Sequence, residues 1–175
     1  SAYMLKIEEG TPFAKNINNM KLPDEDATVK LYNVLCDQLE RAGYNHYEIS
    51  NFSKIGFESK HNLKYWRCGE YLGIGSAAHS YFNGDRFYYK DDITSFINNE
   101  QPIYDGKGGD KEEYIMLGLR LKEGINLNRL DESTKIRIIK KAENLKEFII
   151  IDNNRLSLNR KGFLLSNSII AQILY

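Results

Sequence analysis

Cysteine and histidine, the residues that most often bind metals, are scarce in this sequence. Its 175 residues include two cysteines and three histidines. Cys36 and Cys68 lie far apart and form no CxxC pattern, so they predict neither a disulfide framework nor a metal knuckle. Two thiols also cannot hold a cubane iron–sulfur cluster by themselves. The sequence therefore excludes a disulfide-stabilised fold and a self-contained cluster site.

Long apolar runs and a leader segment are missing as well. No run reaches the roughly 18 residues that a membrane-spanning helix needs, and no export leader is visible. We therefore expect a cytoplasmic protein, or one that is peripheral to the membrane. The chain begins at Ser1 and enters the strand-like segment SAYMLKIEE at once, which suggests an excised fragment. Its hydrophobic content of 42% allows one sizeable core or two small ones.

An excess of either charge is also absent overall, but the two halves differ. Residues 1–105 carry 11 basic and 15 acidic side chains, and residues 106–175 carry 13 and 9. The intervening stretch QPIYDGKGGD has one proline and three glycines, as linkers often do. We therefore predict two modules, 1–105 and 106–175.

The first module has the pattern of an α/β fold. PDEDATVKLYNVLCDQLERAGY predicts a helix that stops at Gly43, and YNHYEISNF after it predicts a strand. With the opening strand this makes a βαβ unit, which implies a parallel sheet. Strand alternation favours an outward Glu48. A further small-residue strand is predicted at YLGIGSAAHSYF.

The second module has a winged-helix-like pattern. Two or three helices are predicted between residues 111 and 148, then a hairpin across Asn153-Asn154 and a closing helix. The basic run KIRIIKK could enter a DNA groove. Isoleucines interrupt that run, so a docking or lid role is favoured over nucleic acid as a partner.

The segment HNLKYW concentrates ligand chemistry. In a helix, His61 and Tyr65 share one face, and Asn62 and Trp66 form the neighbouring pair. A neutral imidazole is a good axial ligand for heme iron, and Tyr or Trp rings pack well on a porphyrin. Three basic side chains nearby could meet the propionates: Lys60, Lys64 and Arg67. Chemistry alone nevertheless favours the alternative, in which the rings are core anchors and His61 is a hydrogen-bonded corner residue.

His79 follows GIGSAA at the expected end of a parallel strand, where ligands of α/β folds gather. The glycines at 73 and 75 do not complete a dinucleotide fingerprint, because Ala78 stands at the position of the third glycine. A ligand pocket and a tightly packed strand with a core His79 both remain open.

Taken together, YEISNFSKIGFESKHNLKYWRCGEYLGIGSAAHSYF resembles the C-terminal half of radical S-adenosylmethionine proteins related to oxygen-independent coproporphyrinogen III oxidase. The branch that it resembles is that of the HemW-type heme chaperones. The opening SAYMLKIEEGTPF and the closing module are similar to the same family. The resemblance implies an α/β fold, the C-terminal portion of a partial (β/α) barrel, followed by a small winged-helix-like α+β domain.

The resemblance also implies a site. The HNxxYW signature of the chaperone branch implies heme binding by His61, Asn62, Tyr65 and Trp66, with His61 as an iron ligand. The glycine-rich strand of the oxidase relatives implies S-adenosylmethionine contacts at Gly73, Gly75, Ala78 and His79. The CxxxCxxC motif of the 4Fe-4S cluster would lie outside this chain.

The implied function is heme binding and delivery to a recipient hemoprotein. The alternative is an oxygen-independent coproporphyrinogen III oxidase, an oxidoreductase of porphyrin biosynthesis. Since the cluster cysteines are not in this chain, the chain should be inactive alone, and no residue is assigned a catalytic role.

Overall fold

The computed structural model describes residues 1–175 as two compact units, Ser1–Glu58 and Ser59–Tyr175. The second unit contains both the glycine-rich segment and the C-terminal module. This division does not test whether a domain boundary lies after residue 105, so that boundary remains a prediction. None of the helices is both long and apolar enough to cross a membrane.

The first unit is organised around one long helix. In chain order its elements are α1 (Pro12–Lys15), a 3₁₀ turn (Ile17–Asn19), α2 (Glu25–Arg41), β1 (Asn45–Glu48) and β2 (Asn51–Ser53). The Asp24 carboxylate caps α2 by accepting the backbone N–H of Ala27 at 2.8 Å. Gly43 follows the helix with φ of +79°. The predicted helix is thus confirmed with its start and stop.

The predicted βαβ unit is wrong. Residues 1–8 form no strand, and β1 pairs with β2 in an antiparallel hairpin whose register joins His46 to Phe52. A hairpin satisfies its backbone groups through a short local turn, whereas a parallel pair needs neighbouring strands and a crossover. The one backbone hydrogen bond from the opening segment to the hairpin is from Ala2 N–H to the Ser50 carbonyl, at 2.8 Å.

The outward orientation expected for Glu48 is also wrong. Its side chain is 1% exposed, and the Ser50 N–H donates to its Oε1 at 3.2 Å. Strand alternation places His46 and Glu48 on the inner face and leaves Tyr47 half-buried on the other. The alternation was sound, but the sequence did not say which face is covered.

The second unit contains two antiparallel three-stranded sheets, ordered β3-β4-β5 and β6-β8-β7. Its elements are α3 (Lys60–Trp66), β3 (His79–Phe82), β4 (Asp85–Tyr88), α4 (Ile93–Ile97), β5 (Ile103–Lys107), α5 (Lys111–Gly118), β6 (Ile125–Asn126), a 3₁₀ turn (Leu127–Arg129), α6 (Glu132–Glu143), β7 (Ile149–Asp152), β8 (Arg155–Leu158), α7 (Arg160–Leu164) and α8 (Ser166–Leu174).

The part of this unit from α5 onward has its own apolar core. Helices α5, α6 and α8 pack around the β6-β8-β7 sheet. The buried apolar cluster is Ile115, Leu119, Ile125, Leu127, Leu130, Ile138, Ala142, Leu145, Ile149, Leu156, Leu158, Phe163, Ile169, Ile170, Ile173 and Leu174. Asn153 and Asn154, both at positive φ, turn β7 into β8. These are the helices and the hairpin that the sequence predicts for a winged-helix-like module.

Candidate functional site

Helix α3 carries the HNLKYW segment, as its sequence predicts. Ser59 caps the helix, because its hydroxyl accepts the backbone N–H of Asn62 at 3.3 Å. One turn separates His61 from Tyr65, and the Tyr65 hydroxyl lies 2.7 Å from His61 Nε2. The two rings meet edge to face, with centroids 4.7 Å apart. His61 is exposed, so this imidazole is held in place and remains open to solvent.

Tyr65 connects His61 to the interior of the unit. Its ring meets the ring of Tyr71 at 4.5 Å, with planes at 89°. The Arg86 guanidinium donates to the Tyr71 hydroxyl at 3.5 Å and pairs with the Glu113 carboxylate of α5. A chain of ring and charge contacts thus fixes the orientation of the exposed histidine.

Trp66 faces a different direction from His61. It is half-buried, the Arg120 guanidinium lies 5.8 Å from its ring, and it lines a cavity of about 320 Å³ together with Tyr114 and Arg129. Its indole Nε1 is buried and has no hydrogen-bond partner. The four residues of the HNxxYW signature therefore do not form one surface. His61 and Tyr65 lie together, Trp66 lines the cavity, and Asn62 is half-buried.

The predicted small-residue strand is only partly present. Tyr71 forms a bridge to Tyr81, and residues 72–78 are irregular before β3 begins. Gly75 and Ala77 have φ of +122° and +59°, values at which a strand cannot continue. The segment is therefore a loop that returns to its own end.

Gly73 and His79 meet at the base of this loop. The Gly73 N–H donates to the Ser80 hydroxyl at 3.0 Å, and a Cβ at position 73 would lie 2.2 Å from the His79 carbonyl oxygen. The Ala78 N–H donates to the Gly75 carbonyl oxygen at 3.3 Å. The loop thus brings the four predicted cofactor residues into one compact turn. A glycine is needed at position 73, because any side chain there would collide with the His79 carbonyl oxygen.

The sequence suggested that His79 ends a parallel strand, and this prediction is wrong. His79 begins the antiparallel strand β3, is exposed, and stacks on Tyr88 with ring centroids 5.0 Å apart. It is therefore not a core residue either. Its position at the open end of the loop leaves the imidazole accessible.

The residues present do not fit an iron–sulfur cluster. No group of three or more metal-ligating side chains occurs in the structure, and Cys36 is fully buried. Burial, and next the Glu113 carboxylate, raise the pKa of the Cys68 thiol above its usual range. A protonated thiol is a poor metal ligand.

Several residues of this region escape sequence reasoning. Tyr71, Arg86 and Glu113 orient the site, yet Arg86 and Glu113 are 27 positions apart. Arg67 pairs with Glu123, 56 positions away, at 3.1 Å. Contacts at such separations leave no periodic signal in the sequence.

Comparison with known proteins finds relatives by sequence but no matching family model. The chain is 35% identical to the heme chaperone HemW of Lactococcus lactis, over 98% of this chain and 49% of that protein. The HemW of Bacillus subtilis is 33% identical, over 75% of this chain and 38% of the relative. The mitochondrial radical S-adenosyl methionine domain-containing protein 1 of Danio rerio is 30% identical, over 99% of this chain and 45% of that protein.

One solved structure shares the fold. The coproporphyrinogen III oxidase HemN of Escherichia coli, a radical SAM enzyme, superposes with a TM-score of 0.61 over 87% of this chain and 42% of its own. At 13% identity this likeness concerns the fold alone. It confirms the predicted α/β class as part of the radical SAM fold, without a closed barrel in this chain.

The chain spans about half the length of the curated relatives that it matches. Nearly all of it is covered by that similarity, and the HNxxYW residues lie on one short helix. The predicted relationship is therefore confirmed: nearly the whole chain is similar to about half of proteins named heme chaperone HemW.

Proposed function

We propose that this chain is the part of a heme chaperone that holds heme at α3 and passes it to a recipient hemoprotein. His61 ligates the iron in this proposal, and heme is the cargo. The proposal is supported by the similarity to proteins named heme chaperone HemW over 98% of the chain. The observation that carries it is an exposed imidazole whose ring is oriented by Tyr65 at 2.7 Å.

His61 is the best placed of the three histidines. His46 is 3% exposed and stacks on Phe52, so iron cannot reach it without opening the hairpin. His79 is exposed, but its ring lies flat on Tyr88. His61 is exposed too, and Tyr65 holds its ring through an edge-to-face contact and a hydroxyl 2.7 Å from Nε2, so this imidazole is both accessible and oriented.

The Tyr65 hydroxyl has a double role in this proposal. It orients the imidazole, and it occupies Nε2, the nitrogen that commonly ligates iron. Heme would therefore bind either at Nδ1 or by displacing the hydroxyl from Nε2. A neutral hydrogen bond contributes only about 1 kcal/mol, so its displacement is a small cost beside an iron–nitrogen bond.

Charge around the helix suits the carboxylates of heme. Lys60 and Lys64 are exposed on α3 and form no ion pair. They would attract the propionates without a buried charge. Asn62 and Trp66 complete the proposed signature, with Trp66 supporting α3 from its inner side.

The glycine loop is the proposed rim of a cofactor pocket. Gly73, Gly75, Ala78 and His79 would contact S-adenosylmethionine, whose other contacts and whose 4Fe-4S cluster would come from sequence outside this chain. The chain's own contribution is a compact loop, since the missing side chain at Gly73 lets the backbone pass close to the His79 carbonyl oxygen.

The oxidase alternative is supported by fold likeness alone, at 13% identity. Fold does not determine activity. Formation of protoporphyrinogen by a longer, reconstituted form of the protein would favour it.

Heme titration with two matched variants tests the proposal. His61→Ala should lower heme affinity by at least about tenfold and change the Soret band, because loss of an iron ligand should cost more than loss of a group that only hydrogen-bonds to a ligand. His79→Ala, at the other exposed histidine, should leave both unchanged. If His61→Ala binds heme like the unsubstituted chain, His61 is not the ligand. A loss confined to His79→Ala would move the site to the glycine loop.

A further inference from the structure

We propose that the cavity behind α3 binds a small oxyanion, a phosphate or a carboxylate group. We call it the arginine cavity and define it by Trp66, Arg67, Tyr114, Glu123, Arg129 and Arg155. It lies within the second unit, where α3 packs against α5. Three guanidinium groups and one carboxylate line it, so its charge is positive.

The single carboxylate of the cavity is already engaged. Glu123 pairs with the Arg67 guanidinium at 3.1 Å and lies 3.7 Å from that of Arg155. Arg155 also donates to the Glu123 and Gly124 carbonyls at 2.8 and 3.1 Å. Two of the three arginines are therefore fixed by protein groups, and they contribute charge and shape.

Arg129 is the arginine without an anionic partner. Its guanidinium lies 4.4 Å from the centroid of the Tyr114 ring, and it forms no ion pair or hydrogen bond. The ring in turn is fixed, because the Tyr114 hydroxyl accepts the Asn126 N–H at 2.8 Å. A planar guanidinium with free donors on a rigid aromatic support is suited to bidentate recognition of carboxylate or phosphate.

The size of the cavity selects a small ligand. About 320 Å³ is near the lower end of the roughly 300–1,000 Å³ typical of ligand sites, so the cavity suits a small anion and not a tetrapyrrole. Trp66 and Tyr114 supply aromatic walls against which an organic part of the ligand can pack.

The arginine cavity is separate from the proposed heme site. His61 and Trp66 are five positions apart on α3, which corresponds to a rotation of about 140° around the helix axis. His61 is exposed, whereas Trp66 lines the cavity. The proposal therefore does not depend on heme binding by His61.

The chain contains a reporter for this site, because Trp66 is its single tryptophan. We would titrate the 175-residue chain with inorganic phosphate, and separately with acetate, at constant ionic strength. Constant ionic strength separates site binding from charge screening. A saturable change in Trp66 fluorescence and in its indole N–H resonance is expected with at least one of the anions. Saturation with phosphate alone or with acetate alone identifies the group that is bound.

Arg129→Gln should weaken this binding by about tenfold or more, since it removes a charge-assisted contact. Arg41→Gln removes the same charge from the exposed end of α2 and should change nothing. His61→Ala should also leave anion binding intact. No saturation with either anion would overturn the proposal. Equal affinity of the Arg129→Gln and Arg41→Gln variants would overturn it too.

Discussion

The first unit and the module that begins at α5 bury different kinds of residue. The module encloses sixteen apolar residues in one cluster. In the first unit, Tyr32 and Cys36 are the buried hydrophobic residues, and four polar residues are buried beside them: His46, Glu48, Asn51 and Ser53. The module has the core of an independent folding unit. The first unit has a long helix and a hairpin with little apolar material between them.

Helices α2 and α6 show this difference most clearly, because both are amphipathic. In α6, Ile138 is fully buried and Ala142 nearly so. In α2, Leu31 and Val34 remain 60% and 51% exposed. An amphipathic pattern thus produces a core only where other elements cover it. Helix α3, with the proposed heme site, packs against α5 and so rests on the well-packed module.

The largest effect is expected from truncation of the module's core. Ile138→Ala should lower the free energy of unfolding by about 2–5 kcal/mol, because it removes buried methyl groups and leaves a cavity. Ile136→Ala is the matched control on the same helix, at a residue that is 59% exposed, and should have little effect. Chemical denaturation measures both. Equal losses would mean that the two isoleucines do not differ in burial, and the comparison would break down.

A smaller effect is expected at the glycine loop, where packing involves backbone instead of side chains. Gly73→Ala should cost about 1–3 kcal/mol, as overpacking does elsewhere. Its Cβ would lie 2.2 Å from the His79 carbonyl oxygen, which cannot move without disturbing β3. Chemical denaturation and the His79 ring resonances report the change.

Ala77→Gly in the same loop is the control for that substitution. Ala77 sits at φ of +59°, a region that glycine adopts freely, so its stability should change by less than about 1 kcal/mol. If Gly73→Ala were as mild as Ala77→Gly, position 73 would not require a glycine.

Local patterns were sufficient to predict much of this molecule. The capped helix α2, the hairpin turn at Asn153-Asn154 and the His61–Tyr65 pair all depend on neighbours within a few positions. The α/β class and the family relationship followed from motifs of the same short range.

What could not be predicted depends on partners distant in sequence. Parallel pairing was expected for the opening segment, but a local hairpin formed instead. Glu48 turned inward because the covered face of its strand is a tertiary property. The split between His61 and Trp66 involves α5, because Trp66 lines the cavity together with Tyr114 of that helix. The arginine cavity combines residues from 66 to 155, and no spacing rule links them.

The smallest effect is expected on the exposed side of α2, and it tests the comparison directly. Leu31→Ala makes nearly the same chemical change as Ile138→Ala, but at a side chain that is 60% exposed. Because alanine and leucine have similar helix propensities, the change should stay within about 0.5 kcal/mol. Hydrogen exchange of the α2 amides would measure it locally. A loss as large as that of Ile138→Ala would mean that Leu31 is covered in solution, and the first unit would then have an apolar contact comparable to the module's core.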